Sequence, residues 1–262
     1  MKLNLDFYLN NAIEAARQVQ PLILSIFNSS FDIEIKEDNS PVTTADKMAD
    51  QFLINFLKES FPTHSFLTEE SKDDLSRLKN DFVWIIDPID GTKEFTRKQA
   101  EFTTNIALSY KGEIIVGVVL APVLNELFYA SKGGGAYCIK GNIKKKIEVS
   151  NKLKDLTVLC SRYHFKETEQ IFIDKNKDVI STVLTVGASL KACRIAEGKA
   201  EISYRSTDGT KEWDIAAPQL IVEEAGGFLL KPDGSKYEYN REDVKNREGY
   251  IIINKKEHLG LL

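Results

Sequence analysis

The stretch Trp84-Ile85-Ile86-Asp87-Pro88-Ile89-Asp90-Gly91-Thr92-Lys93-Glu94-Phe95, WIIDPIDGTKEF, decides how this chain is read. Residues Phe82 to Ile86 are wholly apolar, the pattern of a short strand covered on both faces, and they lead into Asp87. Pro88 fixes the turn, a second carboxylate follows at Asp90, and Gly91 lets the backbone approach a ligand closely. Two carboxylates at the end of a buried strand repel each other and are costly to desolvate without a cation between them. Oxygen ligands at this density suit Mg²⁺, Mn²⁺ or Ca²⁺. A helix starting after Gly91 would aim the Gly91 and Thr92 amides outward as a phosphate cradle.

Spacing tests this turn against other acidic motifs. An EF-hand loop needs oxygen ligands at its positions 1, 3 and 5 and glycine at 6. Those places hold Asp87, Ile89, Gly91 and Thr92, so the loop is not one. A covalent aspartyl phosphatase of the haloacid-dehalogenase type needs Asp-x-Asp-x-Thr, and Ile89 fills its second aspartate place. A plain β-turn with satisfied aspartates stays open for an isolated turn of this kind. Three further acidic positions accompany it. Glu69 and Glu70 follow an apolar pair in FLTEES, Asp46 opens a helix in VTTADK, and Asp214 precedes an apolar helix in KEWDIAAP. Taken singly, each reads as a solvated helix start or an ordinary cap.

The whole chain sets bounds. Its 262 residues are enough for a large α/β core in one domain or two packed lobes. A net charge of −4 gives no general attraction for nucleic-acid polymers or anionic membranes, so phosphate handling would need bound cations. Cys138, Cys160 and Cys193 form no CxxC pair, and His64, His164 and His258 are too scattered for a histidine metal centre. The N-terminal stretch carries Asp6, Glu14 and Arg17 and does not read as a signal peptide. The longest apolar run, Ile114 to Ala121, is far shorter than the ~20 residues a membrane helix needs. A cytoplasmic location without a membrane span is expected, with peripheral membrane association left open.

Apolar spacing predicts an amphipathic helix from Leu5 to about Phe27, a strand over Phe31–Lys36, a loop at Asn39-Ser40-Pro41, and a helix capped by Thr43 or Thr44. Short strands joined by glycine turns from Thr103 to Val149 predict an antiparallel sheet. Beyond that, strands at Leu156–Cys160 and Ile180–Val186 alternate with helices at Lys166–Lys175, Ala188–Glu197 and Asp214–Ala225, the rhythm of α/β units. The expected organisation is one compact catalytic domain of two lobes, 1–150 and 151–262.

The segments SPVTTAD, FLTEES, WIIDPIDGTKEF, GASLKACRIAEGKAE and EWDIAAPQLIVEEAGG, in this order, resemble the inositol-monophosphatase superfamily of lithium-sensitive, metal-dependent phosphatases. The resemblance implies an αβαβα five-layer sandwich. It also implies two or three Mg²⁺ ions, with Mn²⁺ an alternative, on Glu69, Asp87, Asp90, Asp214 and the Ile89 carbonyl. Asp46 and Thr92 match the pair that orients the attacking water, with Glu69 beside it as a further catalytic residue. Lys93-Glu94-Phe95, Ser161-Arg162-Tyr163-His164 and Ser189-Leu190-Lys191 are similar to the 3′(2′),5′-bisphosphate nucleotidase (CysQ-type) branch, with Tyr163 replacing a serine. That branch implies a nucleotide substrate in sulfur metabolism, 3′-phosphoadenosine 5′-phosphate, held by Ser161, His164, Ser189 and Lys191. A homodimer is implied by the family alone. Inositol phosphate, fructose bisphosphate, or a catalytically silent role in binding phosphate metabolites are the rival expectations.

Overall fold

The first helix, α1 (Leu5–Phe27), begins where the Asn4 side chain accepts from the Phe7 amide, and it buries Ala12, Ala15, Ala16, Val19 and Ile23 at helical spacing. The computed structural model describes residues 3–35, 41–207 and 209–262. Strands β1 (Ile33–Ile35) and β2 (Pro41–Thr43) form an antiparallel pair; the expected loop positions Asn39 and Ser40, and Lys36, lie outside the described residues. Helix α2 (Thr44–Ser60) is capped by Thr43, whose hydroxyl accepts from Ala45 N at 3.2 Å.

Both helices lie on one face of a seven-stranded sheet. Its strands are β3 (Ser65–Thr68), β4 (Phe82–Asp90), β5 (Thr103–Tyr110), β6 (Glu113–Ala121), β7 (Glu126–Ser131), β8 (Gly135–Lys140) and β9 (Ile143–Ile147), in sequence order. Only β3 and β4 run parallel, and the rest is the antiparallel meander that the glycine turns predict. A five-residue helix, α3 (Thr92–Thr96), bridges β4 and β5.

The second half contributes β10 (Leu156–Cys160), α4 (Glu167–Lys175), β11 (Ile180–Thr185), α5 (Leu190–Ala196), β12 (Ile202–Arg205), α6 (Glu212–Glu224), β13 (Phe228–Leu230) and β14 (Tyr250–Ile253). They build a sheet ordered β11-β10-β12-β14-β13. β10, β11 and β12 are parallel, as α/β alternation requires, whereas β14 returns antiparallel to both β12 and β13. The layers are therefore α1/α2, the larger sheet, α5/α6, the smaller sheet, and α4: an αβαβα sandwich.

Helix α6 is the centre of the stack. Ten of its 13 residues are buried, as expected of a helix covered on all sides. It meets β6 at Gly117, where a β-carbon would stand 2.7 Å from the Ala217 carbonyl oxygen. Only a residue without a side chain lets helix and strand approach so closely.

Strand β4 shows how the motif is aimed. Trp84 and Ile86 pack under α1 and α2, while Val83 and Ile85 face α5 and α6. Regular alternation would put Asp87 on the α6 side and Asp90 on the other. Instead Asp87 pairs with Asn105 and Asp90 with Thr103, so β4 carries one extra residue over this interval. This bulge, with Pro88 inside it, sends Ile89 to the α1/α2 core and returns Asp90 to the side of Asp87. The strand thus runs through the motif instead of ending at Asp87.

Candidate metal centre and substrate cavity

Asp87, Asp90 and Asp214 each place a carboxylate oxygen within 4.8 Å of the others. Asp214 arrives from the first turn of α6, where its Oδ2 also accepts from the Lys211 amide at 2.5 Å. Asp46 sits at the same place in α2: Oδ2 accepts from Thr43 N at 2.8 Å and from the Thr43 hydroxyl at 2.5 Å. Both aspartates are therefore helix caps, and in each a cap also serves the site. The other Asp46 oxygen faces the Thr92 hydroxyl at 3.5 Å, and that hydroxyl lies 3.3 Å from the Ile89 carbonyl. Glu69, just past β3, has its amide on Ile86 O at 3.2 Å, which sets it beside Asp87 in the same cavity.

The carboxylates differ in how they are satisfied. Asp90 Oδ2 accepts from the Ser189 hydroxyl at 2.6 Å, with Thr103 Oγ1 and Asn105 Nδ2 at 3.4 Å. Ser189 in turn receives Asn105 Nδ2 at 3.0 Å. Asp87 is 1% exposed, and neither of its carboxylate oxygens has a hydrogen-bond partner among the described residues. Burial, then the charges of Glu69, Asp90, Asp214 and Asp46, push its pKa well above the usual carboxylate range. Burial, Asp90 and Glu69 likewise push Asp214 up to about 8. A bare carboxylate in this position is costly, and a divalent cation relieves the cost. The donor set is all oxygen and acidic, which fits Mg²⁺ or a similar hard ion.

The cavity above these groups has a volume of ≈ 740 Å³, and Gly91 and Thr92 line it beside the carboxylates. Gly91 has φ +92°, a left-handed conformation in which any other residue would be strained. The lining is also basic: Lys93, Lys166, Lys191, Arg205, Lys211 and Lys245 all border the cavity. Ser161, His164 and Ser189 line it too, so the structure gathers all the residues anticipated around the nucleotide. Ser189, however, spends its hydroxyl on Asp90 and on the Asp214 carbonyl at 3.1 Å, so it braces the carboxylates. Lys191 is 8% exposed, donates to the Ala188 carbonyl at 2.7 Å, and has its pKa lowered by burial. Partial burial, then Lys93, Arg205, Lys191 and Lys166, push the His164 imidazole down to about 4. It is neutral at physiological pH, so the positive charge of this wall comes from lysine and arginine.

Tyr163, the departure from the serine pattern, does not line the cavity. Its hydroxyl donates to Gln99 Oε1 at 2.8 Å and its ring lies under the Arg97 guanidinium, 4.1 Å from the centroid. No sequence motif marks Arg205, Lys166, Lys245 or Asn105 as cavity or site residues. Arg205 ends a four-residue strand and Lys166 precedes a helix, positions with no motif around them to draw attention.

Comparison with known proteins bears on this arrangement. The model of the "Inositol monophosphatase family" matches residues 4–262. A Dictyostelium discoideum protein named inositol monophosphatase is 34% identical over 92% of this chain and 91% of its own. The Nus factor SuhB of Pasteurella multocida is 37% identical over 86% and 85%. A Salmonella typhimurium protein named 3′(2′),5′-bisphosphate nucleotidase CysQ is 33% identical over 93% and 98%. The crystal structure of CysQ from Bacteroides thetaiotaomicron superposes with a TM-score of 0.84 at 31% identity, covering 97% of this chain and all of that one.

Proposed function

The chain belongs to the inositol monophosphatase family and is a metal-dependent phosphatase; from that premise we propose that it removes the 3′-phosphate from 3′-phosphoadenosine 5′-phosphate, leaving AMP. The observation that carries this reading is the set of cations that lines the same cavity as the carboxylates. A metal site needs only the acidic side. A substrate with a single phosphate would bring no second anion to Lys93, Lys166, Lys191 and Arg205. A second phosphate on the same substrate satisfies them. The likeness to proteins named CysQ supports the same choice.

In this reading Glu69, Asp87, Asp90, Asp214 and the Ile89 carbonyl hold magnesium. What the ions supply is neutralisation of the phosphoryl charge, activation of water and stabilisation of the leaving oxygen. The chain does the rest. Thr92 donates its hydroxyl proton towards Asp46 Oδ1, leaving a lone pair to accept from the attacking water and aim it in line. Glu69 lies beside that water. The Gly91 and Thr92 amides meet the phosphoryl oxygens as charge builds on them. Ser161, His164 and Lys191 receive the nucleotide and its 5′-phosphate, and a neutral His164 does so as a hydrogen-bonding group. Ser189 keeps Asp90 in place.

The experiment is phosphate release with magnesium from 3′-phosphoadenosine 5′-phosphate, inositol 1-phosphate and fructose 1,6-bisphosphate. The nucleotide is expected to have the highest kcat/KM. A preference for inositol phosphate, the activity in the name of the Dictyostelium relative, overturns the nucleotidase reading and leaves the phosphatase. No release from any of the three would point to a binding role.

A further inference from the structure

The loop between α3 and β5 grips the substrate wall from behind. Arg97 lies over the Tyr163 ring, and Gln99 accepts from the Tyr163 hydroxyl. At the loop's end one carboxylate oxygen, Glu101 Oε2, accepts from Arg162 Nη2 at 2.5 Å and from the Gly187 amide at 3.0 Å. Gly187 is wedged so closely that a β-carbon there would stand 2.4 Å from the Glu101 carbonyl oxygen and 2.9 Å from Glu94 Oε1. None of Arg97, Gln99, Glu101, Arg162, Tyr163 or Gly187 lines the cavity, yet the sequence neighbours of Arg162, Tyr163 and Gly187 do. Ser161 and His164 flank Arg162 on one side of the clasp; Ala188, Ser189 and Lys191 follow Gly187 on the other. Glu101 is itself rooted in the floor, two residues before Thr103, the β5 partner of Asp90.

We propose that Glu101 is a positioning residue that sets the spacing between the carboxylate floor and the cationic wall, so that the enzyme selects its substrate by the distance between two phosphates. This rests on the bisphosphate reading above. Removing the charge on Glu101 leaves both wall segments attached to the fold but weakens the charge-assisted bonds that hold Arg162 and Gly187 to one oxygen. The reacting phosphate is held by the floor, which the change reaches only through the Ser189 bond to Asp90, and saturating magnesium offsets that loss. The cost therefore falls on binding of the second phosphate and leaves the chemical step alone.

The test compares adenosine 3′,5′-bisphosphate with adenosine 3′-monophosphate, which lacks the distal phosphate, at saturating magnesium. Because Glu101 and Arg162 are about one-third exposed, the expected effect of Glu101→Gln is modest: KM for the bisphosphate rises about fivefold, with kcat within about twofold. Both constants for the monophosphate stay unchanged. Arg162→Gln breaks the same pair from its other end and reads the same split if Glu101→Gln folds poorly. The double variant is expected to be no worse than either single one. Equal losses of kcat on both substrates, or an unchanged KM for the bisphosphate, overturn the clasp while the nucleotidase reading stands. A wild-type enzyme that does not distinguish the two substrates overturns that reading, and the clasp with it.

Discussion

The floor of the cavity and its wall carry opposite charges, and they are held in different ways. Asp87 and Asp90 are consecutive points on one strand, brought to one face by a bulge, and Asp214 is locked by its own cap to the helix that presses on that sheet. Their positions follow from backbone geometry. The cations come from separate elements: Lys93 from α3, Lys166 ahead of α4, Lys191 from α5, Arg205 from the end of β12, and Lys211 ahead of α6. A floor built into the framework and a wall assembled from element ends divide the labour, with chemistry on the rigid part and selection on the replaceable one. Relatives with different names across the family fit that division.

Substitutions on the two sides should therefore separate. The largest effect is expected at the floor. Asp90→Asn keeps the shape of the side chain and removes a ligand charge, and turnover should fall at least about a thousandfold while circular dichroism stays unchanged. Near-wild-type activity would remove Asp90 from the metal site. Ser189→Ala acts one shell out by freeing Asp90, and magnesium affinity should weaken roughly ten- to a hundredfold, read as a shifted activation curve. Lys191→Gln belongs to the wall: KM for the bisphosphate should rise roughly tenfold with kcat little changed. A collapse in kcat instead would blur the division.

The smallest effect is in stability. With no cation bound, Asp87 and Asp214 retain protons above the ordinary carboxylate range, Asp214 up to about 8. The folded chain then binds more protons than the unfolded one between about pH 4 and 8. Stability of the cation-free chain is accordingly greatest at the acid end of that window and is lost as pH rises through it. Magnesium must displace those protons, so the rise in Tm on adding it should be larger at pH 8 than at pH 6. A rise independent of pH would show that the carboxylates are already ionised without metal.

The difference between floor and wall also explains what could be read from the sequence. Helices α1 and α2, the meander and the alternation of the second half are repetitive, so apolar spacing and glycine turns reveal them. The floor is dense in one motif, and distant Glu69, Asp46 and Asp214 could be attached to it by resemblance. The bulge was not legible: whether Asp87 and Asp90 share a face depends on the pairing of β4 with β5, a long-range property. The antiparallel return of β14 is of the same kind, since β13 and β14 are three and four residues long. Arg205 and Lys166 are not legible, because an isolated cation at an element end has no local pattern. Ser189 is legible as a cavity residue, but its bond to Asp90 is not, since the two stand 99 residues apart in sequence.

Gly117 has a practical bearing on attempts to make this protein more robust. Replacing a strand glycine by alanine is a common stabilising change, worth roughly 0.5–1 kcal/mol where the backbone allows it. Here the added methyl would press on the Ala217 carbonyl, one helical turn beyond Asp214, and push α6 outward. A variant chosen for toughness at Gly117 is expected to need more magnesium to work, although residue 117 contributes no side chain to the site.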